Sequence, residues 1–421
     1  MKIGINALFY HYPASGSGQY LSHLLHALSA LDSHNEYILF GPRPLPQQNG
    51  LPQTTFPYHV QPVPGFAARS ENIEKVMWEQ WTGPAAARKA GVDVFHVPHF
   101  APPLLPQTPT VVTIHDVIPL RLPLYRAGTR VSAYVRLVAR AAHSAKLIIT
   151  VSQHAKQDMI DALKLPAERI RVIYEAAGEE YQPVSDPAVL AAARKRYGVG
   201  ERYIFYLGGL DQRKNVQQLV RAFARVYSQL NDPNLQLLIA GNPDKQRGPL
   251  FPDPRPVAAD LGMSGQIIYR FIEEEDKAAM YSGASLFVFP SLYEGFGLDP
   301  LEAMSCGAPV VCSNRTSLPE VVGDAAINVD PENLPALVEA MRRVLTDDTL
   351  RADLRERSLK QAAKFSWRKT AQETLAVYEE VYFQSRTGSR KRVRFLPLAP
   401  GGVYHQTGKS QAQRHYARSK K

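Results

Sequence analysis

Cysteine is scarce in this chain of 421 residues, which contains Cys306 and Cys312 and no others. Two thiols make neither a disulfide framework nor a set of metal ligands, so we predict small core side chains in a reduced, cytoplasmic protein. No segment reaches the roughly 18–20 apolar residues that span a bilayer, and the opening residues lack a signal-peptide pattern. We therefore expect any membrane association to be peripheral, at the inner membrane face.

Acidic residues are missing from residues 386–421, which carry ten Lys and Arg residues and no Asp or Glu. The whole chain has a net charge of +10, so the remainder is electrically neutral. The basic segment lacks apolar periodicity and is predicted to be a disordered tail. Its charge is no evidence that the folded part binds a specific nucleic acid. Attraction to an anionic membrane surface and a solvated extension without a partner are the two alternatives for the tail.

Strands alternate with helices along most of the chain, which is typical of an α/β protein with mostly parallel sheets. Lys2–Phe9 has the pattern of a buried strand, and apolar residues then recur at helical spacing. The same alternation starts again at Tyr203–Leu207. We therefore predict two doubly wound, Rossmann-like domains, over residues 1–183 and 184–365. A last helix over residues 366–385 is predicted to pack back on the first domain.

The strongest indication of chemistry lies in residues 289–304, where a predicted strand ends and a glycine loop leads into a helix. Such a loop offers N–H groups and a positive helix end to phosphate, and ligands of open α/β sheets lie outside the carboxyl ends of strands. Glu294 lies in the loop and Glu302 in the predicted first turn of the helix. Because carboxylates repel phosphate, their natural partners are sugar and ribose hydroxyls. The alternative for Glu302 is that it only complements the helix dipole.

This segment resembles the E-x7-E signature of the glycosyltransferase family 4 enzymes, which have the GT-B fold of two Rossmann-like domains facing a central cleft. The resemblance extends from Lys2 to about Phe383 and implies retaining transfer of a sugar from a nucleotide sugar, with no metal or other cofactor. Glu294 then resembles the residue that holds the donor sugar's hydroxyls, and Glu302 the one that binds the ribose. Asp299 departs from the pattern, since relatives often carry an apolar residue or proline there. The loop residues expected to complete the donor site are Gly295, Phe296, Gly297 and Leu298.

A basic pair, Arg213 and Lys214, follows the first predicted strand of the second domain. Negative charge grows on a departing nucleoside diphosphate, and fixed cations stabilise it. The pair resembles the family's diphosphate-binding residues, although many relatives separate the two cations by several positions. Because adjacent residues seldom point the same way, Lys214 is the firmer prediction. No Asp-x-Asp triplet is present to hold a divalent ion against the diphosphate. Arg213, Lys214 and a helix dipole are therefore expected to supply the positive charge that such an ion would bring.

Two features of the first domain resemble parts of the family's donor site. His115 closes the predicted strand Val111–His115 and resembles the family histidine that contacts the donor sugar. Gly16 and Gly18 follow the first strand and resemble the loop that closes over the donor phosphate. A satisfied structural histidine and a plain tight turn are the alternatives. The resemblance implies that the leaving phosphate, and not His115, takes the proton of the acceptor.

A helix predicted over residues 126–146 would place four arginines on one face, about 120° wide at 100° per residue. An ordinary amphipathic surface helix is one explanation. Docking on anionic lipid, beside an acceptor carried on a membrane lipid, is the other. The four arginines are Arg126, Arg130, Arg136 and Arg140.

Three functions remain open at this point. The string from His115 to Pro119 resembles bacterial mannosyltransferases that build surface polysaccharide, which favours mannose from GDP-mannose and a glycan or lipid-linked acceptor. The second function is transfer of glucose, galactose or an N-acetylhexosamine from a UDP-sugar. The third is non-catalytic binding of a sugar nucleotide. It is disfavoured because the predicted site residues are all present: His115, Lys214, Glu294 and Glu302.

Overall fold

The computed structural model describes residues 1–13, 15–45, 54–244 and 248–387, and it contains two separate parallel sheets. The strands of the first sheet are β1 Lys2–Asn6, β2 Glu36–Gly41, β3 Tyr58–Val60, β4 Val94–Val97, β5 Thr110–Thr113, β6 Leu147–Thr150 and β7 Ile170–Val172. They lie in the order β3-β2-β1-β4-β5-β6-β7. The chain therefore reverses its direction of travel across the sheet between β1 and β4, which is where open α/β sheets form a ligand crevice.

Helices cover both faces of this first sheet, so its strands are almost continuously apolar. Ser15 begins the first helix, because its hydroxyl accepts a hydrogen bond from the Gly18 amide at 3.1 Å. A π-helical turn at Trp78–Thr82 separates the second helix from the third. The helices are α1 Gly16–Leu31, α2 Glu71–Met77, α3 Gly83–Lys89, α4 Ile118–Arg121, α5 Thr129–Ala141 and α6 Gln153–Leu163.

The second sheet repeats the same plan with six parallel strands. These are β8 Tyr203–Leu207, β9 Gln236–Ala240, β10 Ile267–Arg270, β11 Leu286–Phe289, β12 Val310–Ser313 and β13 Ile327–Val329. Their order, β10-β9-β8-β11-β12-β13, places the reversal between β8 and β11. The helices that follow the first domain are α7 Pro187–Tyr197, α8 Val216–Leu230, α9 Arg255–Asp260, α10 Glu274–Gly283, α11 Leu298–Ser305, α12 Leu318–Val322, α13 Leu334–Thr346, α14 Asp348–Ala362 and α15 Trp367–Thr387.

The last helix, α15, leaves the second domain and packs against α1 of the first. Its buried residues, which include Trp367 and Tyr378, belong to the same apolar cluster as β1 and α1. The Tyr378 hydroxyl lies 2.7 Å from Nδ1 of the buried His96, whose Nε2 lies 2.8 Å from the Thr113 hydroxyl. The end of the chain thus contributes to the core of the domain that begins it.

The structure corrects several boundaries that the sequence pattern predicted. Strand β5 ends at Thr113, so His115 lies in the loop beyond the strand and does not close it. Helix α11 begins at Leu298, which places Glu302 in the second turn. Arg126 lies in a separate 3-10 turn, because Gly128 adopts a φ of 93° and interrupts the predicted helix before α5. The predicted disordered tail begins two residues too early, since Arg386 and Thr387 belong to α15, and the rest of it lies outside the described residues.

Three strands were not predicted at all: β3, β7 and β13. Each has three residues, and each includes residues that are not buried, so none has a long apolar pattern. They form edges of the two sheets, where one side of the strand has no neighbour. The prediction of two doubly wound, Rossmann-like sheets is nevertheless confirmed.

Candidate active site

Two loops of the second domain meet at the carboxyl ends of neighbouring strands. One loop follows β8 and carries Arg213 and Lys214, and the other follows β11 and carries Glu294. Strands β8 and β11 pair directly, so their ends lie at the same edge of the sheet. The amide of Leu292 donates a hydrogen bond to the carbonyl of Arg213 at 2.7 Å and joins the loops. This is the place at which the second sheet reverses its strand order.

Glu294 forms ion pairs with both cations of the basic pair. Its Oε2 lies 2.6 Å from the Arg213 guanidinium and its Oε1 lies 2.8 Å from Lys214 Nζ. The Ser291 hydroxyl donates to Oε1 at 2.6 Å. The expectation that adjacent cations would diverge is therefore wrong here, because the 3-10 turn Gln212–Lys214 directs both side chains to one carboxylate. Burial alone would raise the pKa of the Glu294 carboxyl, but the charges of Lys214 and Arg213 hold it below its usual value.

Lys214 lies at the centre of this charge cluster. Its ammonium is 3.3 Å from the Asp299 carboxylate and 4.5 Å from the centroid of the Phe289 ring. Burial opposes the charged form, yet Glu294 and Asp299 raise the pKa of Lys214 above its usual value. The lysine is therefore held as a buried cation whose counterions are two carboxylates. A diphosphate arriving beside it would meet a positive charge that is already oriented.

Arg213 connects this cluster to the first domain. Its Nε lies 3.1 Å from Asp211, and the Tyr125 hydroxyl of the first domain donates a hydrogen bond to the same Asp211 carboxylate. Arg213 also donates to the carbonyl of Tyr293 at 3.0 Å. Tyr125 and Asp211 were not predicted as site residues, because they are distant in sequence and belong to no shared motif.

Glu302 occupies a different environment from Glu294. It is buried at 4% exposure, and the Tyr281 hydroxyl donates to its Oε2 at 3.1 Å. Burial and the nearby charge of Asp299 raise the pKa of Glu302 well above its usual value. Glu302 lines a narrow cavity between the domains together with Gln19 and His23 of α1. Its carboxyl group thus reaches a space that a ligand could share with the first domain.

His115 is held from both sides of its ring. Nδ1 lies 2.8 Å from Glu175 Oε1, and Nε2 lies 3.3 Å from the carbonyl of Pro98. The Tyr20 ring packs edge-on against the imidazole at 4.7 Å. Burial disfavours the charged form, but the Glu175 carboxylate outweighs it and raises the pKa of His115. Glu175 was not predicted, since it follows β7 in a segment without a recognisable pattern.

The loop of His115 touches the loop of Glu294 at Gly295. A Cβ atom on Gly295 would lie 2.5 Å from the carbonyl oxygen of His115, so only glycine fits. The Ser152 hydroxyl donates to the Gly295 carbonyl at 2.7 Å, also across the cleft. The loops that carry His115 and Glu294 are therefore in direct contact across the cleft.

The other predicted loop residues have mixed positions. Phe296 is buried and packs against Tyr174 and Phe365, so its side chain is part of the packing between elements. Gly297 immediately precedes α11, and Leu298 lines the same cavity as Glu302. The hydroxyl of Ser317 lies within hydrogen-bond distance of the carbonyls of Glu294 and Phe296, at 3.0 and 2.5 Å, and so holds the loop in place.

Gly16 and Gly18, which were predicted to form a loop, instead lie in the first turn of α1. A Cβ on Gly18 would lie 2.2 Å from the carbonyl oxygen of Tyr12, whereas a Cβ on Gly16 would meet nothing within 4 Å. Glycine is thus required at Gly18, because the backbone approaches closely there. No contact with the described residues requires glycine at Gly16. Because Gln19 lines the cavity with Glu302, the amino end of α1 lies beside the same space.

The described residues contain neither a metal-ligand cluster nor a membrane-spanning helix. No group of three or more His, Cys, Asp or Glu side chains in the described ranges is arranged to hold a metal ion. Within those ranges, no helix is long and apolar enough to cross a membrane.

The predicted basic face is exposed at Arg126, Arg130, Arg136 and Arg140, and Val138 faces inward.

Known proteins resemble this chain along nearly all of its described length. Residues 192–361 match the family described as Glycosyl transferases group 1, and residues 14–177 match Glycosyltransferase Family 4. O-antigen chain mannosyltransferase B of Escherichia coli is 34% identical over 288 residues, which are 68% of this chain and 74% of that protein. D-inositol 3-phosphate glycosyltransferase of Acidothermus cellulolyticus is 27% identical over 362 residues, covering 82% of this chain and 76% of that protein.

Solved structures share the fold. Anabaena Alr3699/HepE in complex with UDP-glucose superposes with a TM-score of 0.68 at 17% identity, covering 90% of this chain and 100% of that one. The glycosyltransferase WaaG, involved in lipopolysaccharide biosynthesis, also superposes with a TM-score of 0.68 at 17% identity, covering 90% of this chain and 99% of that one. Two parallel Rossmann-like sheets with these neighbours define the GT-B fold. The chain belongs to the group 1 glycosyltransferases of family 4 and is a glycosyltransferase.

Proposed function

We propose that this enzyme transfers mannose from GDP-mannose to a glycan or lipid-linked acceptor, with retention of anomeric configuration and without a metal or other cofactor. Two observations support the proposal. Arg213 and Lys214 converge on Glu294 at 2.6 and 2.8 Å, opposite the loop of His115. The relative that is 34% identical is a mannosyltransferase that acts on an O-antigen chain.

The arrangement suits the departure of a nucleoside diphosphate. As the bond between the sugar's anomeric carbon and the phosphate oxygen breaks, negative charge grows on the diphosphate. Lys214 and Arg213 stabilise that charge without reorganising, because their positions are already set by Glu294 and Asp211. The acceptor oxygen bonds to the anomeric carbon on the same face, and its proton passes to the departing phosphate oxygen.

The remaining residues orient the donor. Glu294 accepts hydrogen bonds from hydroxyls of the transferred sugar, and Glu302 from the ribose. Gly16, Gly18 and the amino end of α1 close over the phosphates, where backbone amides favour anions. His115, held by Glu175 at 2.8 Å, contacts the donor sugar from the other wall.

A UDP-sugar donor is the second candidate, and one observation favours it. Anabaena Alr3699/HepE, a structural neighbour over 90% of this chain, was solved with UDP-glucose. The two candidates differ in the base and in the hydroxyl geometry of the sugar, which depend on contacts far apart in the chain.

We also propose that the enzyme works in the cytoplasm, peripherally at the inner membrane face. The exposed arginines of residues 126–140 support this idea, since basic side chains are attracted to anionic lipid. A lipid-linked acceptor would then be presented at the same surface.

A panel of nucleotide sugars tests the donor directly. GDP-mannose, UDP-glucose, UDP-galactose and UDP-N-acetylglucosamine are compared by thermal shift and then by transfer to octyl α-mannoside. A ligand at hundredfold excess over its Kd adds ~2.7 kcal/mol to the unfolding free energy. We expect GDP-mannose to give the largest shift and measurable transfer. A larger shift and faster transfer with a UDP-sugar would replace the mannose assignment, and no shift with any of the four would overturn the proposal.

A further inference from the structure

The reversal point of the first sheet holds a buried polar cluster that the donor site does not use. It lies between β1 and β4, where the segments after Asn6 and Val97 diverge. His99 follows β4, and Glu79 enters from the π-helical turn Trp78–Thr82. Reversal points of open α/β sheets are where such sheets bind ligands. We call Glu79, His99, Tyr134 and Lys75 the acceptor-side cluster.

The acceptor-side cluster is incompletely satisfied. The side chain of Glu79 is fully buried, and Tyr134 donates to its Oε2 at 2.9 Å. Glu79 Oε1 lies 3.3 Å from His99 Nε2 and 3.9 Å from Lys75 Nζ, without a hydrogen bond of good geometry. His99 Nδ1 also lacks a hydrogen-bond partner among the residues that the structure describes. Buried polar atoms are normally paired, so each exception requires an explanation.

The local backbone is distorted in a way that turns Glu79 inward. Trp78, Glu79 and Gln80 are all buried, although they are consecutive. A regular helix with one apolar face cannot bury three consecutive side chains against a single layer, and the π-helical turn alters their directions. Single π turns within helices occur frequently at functional sites. The distortion therefore favours a role for Glu79 beyond packing.

The cluster adjoins the donor site through a single residue. Pro98, whose carbonyl faces His115 Nε2 at 3.3 Å, immediately precedes His99. The Phe9 ring packs against the His99 ring at 4.6 Å, and Lys75 Nζ lies 5.7 Å above the Phe9 centroid. Burial lowers the pKa of His99, so a neutral ring offers one N–H donor and one acceptor nitrogen. Carboxylate, imidazole and an aromatic face are the groups that bind a sugar ring.

We propose that Glu79 and His99 bind hydroxyls of the acceptor sugar and thereby determine which hydroxyl meets the donor. Tyr134 positions Glu79, and Lys75, a flexible and partly exposed side chain, covers the cluster until the acceptor displaces it. The inference rests on the proposed glycosyl transfer and names residues for its second substrate. The ligand is a hexose with neighbouring hydroxyls at the end of a glycan or glycolipid.

The test compares Glu79→Gln and His99→Phe with the matched control Glu74→Gln. Glu74 is another buried carboxylate of the same segment, paired with Arg43 outside the cluster. Octyl α-mannoside serves as the acceptor, with the donor that the thermal-shift panel selects. Loss of a hydrogen bond to a charged group costs about ten- to a hundredfold in affinity. We expect the KM for the acceptor to rise by that factor in Glu79→Gln and by about three- to tenfold in His99→Phe, whose ring is neutral. The KM for the donor should be unchanged in both variants, and the control should keep both values.

Donor hydrolysis in the absence of acceptor separates this inference from the proposed function. A wild-type enzyme that neither binds nor hydrolyses any nucleotide sugar would overturn the proposed function. Normal hydrolysis with an unchanged acceptor KM in both variants would overturn the role of the cluster alone, as would equal increases in both KM values. If Glu79→Gln does not fold, Tyr134→Phe removes only the hydrogen bond to Glu79. An acceptor KM raised about three- to tenfold is then expected, and an unchanged value would contradict the inference.

Discussion

The two domains place different polar clusters at equivalent points of their sheets. In the second domain, Arg213 and Lys214 each have Glu294 as a counterion, at 2.6 and 2.8 Å. In the first domain, Glu79 and His99 each keep a buried atom that lacks a hydrogen-bond partner among the described residues. Both cations of the second-domain cluster thus have a carboxylate within 2.8 Å, although Arg213 Nε lacks a hydrogen bond of good geometry, and in the acceptor-side cluster both ring nitrogens of His99 lack one.

This difference corresponds to what each cluster is expected to meet. A departing diphosphate requires cations whose positions are already set, and the carboxylate of Glu294 sets them. A sugar acceptor requires hydrogen-bond donors and acceptors that have not been used by the protein. His115 lies between the two clusters, joined to the loop of Gly295 on one side and to Pro98 on the other.

Removing the buried lysine should have the largest effect on the second-domain cluster. Lys214→Met keeps the apolar stem over Phe289 but deletes the charge. Loss of one preorganised stabilising group typically costs about 10²–10³ in kcat. We expect a decrease of that size in steady-state transfer, with partial rescue in Lys214→Arg. A kcat within threefold of wild type would show that the cluster does not stabilise the leaving group.

The same lysine makes the reaction independent of divalent ions in the proposed mechanism. Wild-type transfer should be the same in EDTA as in buffer with added Mn²⁺ or Mg²⁺. Restoration of an EDTA-inactivated enzyme by Mn²⁺ would mean that a metal, and not Lys214 with Arg213, neutralises the diphosphate.

Replacing the shared carboxylate is the next largest change. Glu294→Ala removes the counterion that Lys214 and Arg213 share and leaves them Asp299 and Asp211. Breaking a buried pair completely costs about 3–5 kcal/mol of stability, and we expect a smaller loss here. We expect a lower melting temperature and a kcat at least tenfold lower, because the donor sugar loses its orientation. Glu294→Gln is the control, since an amide oxygen can still accept from Ser291. Equal kinetics in the alanine variant and wild type would remove Glu294 from the site.

The sequence predicted the second-domain cluster far better than the first. Glu294 and Glu302 lie within one continuous segment, as do Arg213 and Lys214, so their neighbourhood follows from strand order alone. Glu79 and His99 belong to no motif, and the π-helical turn that joins them cannot be inferred from residue periodicity. Interdomain partners such as Tyr125 and Asp211 depend on how the two sheets face each other, which no local pattern records. The GT-B fold itself was predictable, because the alternation of strands and helices restarts midway along the chain.

The two carboxylates of the donor site should respond to pH with opposite signs. The pKa of Glu294 is lowered, so its stabilisation is present above its unfolded pKa and is lost as pH falls. The pKa of Glu302 is raised well above its usual value, so the native state loses stability as pH rises above the unfolded value of about 4.3. We expect Glu302→Gln to unfold at a higher temperature than wild type at pH 7, and the advantage to shrink toward pH 4.

The same substitution should weaken donor binding. Loss of a hydrogen bond to the ribose corresponds to about a two- to tenfold higher Kd, measured by titration calorimetry with the donor. Tyr281→Phe is the control, because it removes a protein contact of Glu302 but leaves the carboxyl group. A variant that is more stable at pH 7 and still binds donor normally would show that Glu302 is a structural residue only.

The smallest effect should come from the basic tail, which is remote from both clusters in sequence. A chain ending at Thr387 retains every residue named in the donor site and in the acceptor-side cluster, so its transfer to soluble octyl α-mannoside should match that of the full chain. Each Lys or Arg near an anionic membrane contributes about 1 kcal/mol at best. Salt-sensitive sedimentation with phosphatidylglycerol vesicles should therefore fall in the shortened chain if the tail docks the enzyme. The matched comparison is Arg130→Gln with Arg136→Gln in the full chain, which removes charge from α5 alone. Loss of vesicle binding in that variant, with none in the shortened chain, would assign membrane contact to the acceptor-side domain. Equal binding by all three proteins would show that neither the tail nor the pair Arg130 and Arg136 is required for membrane docking.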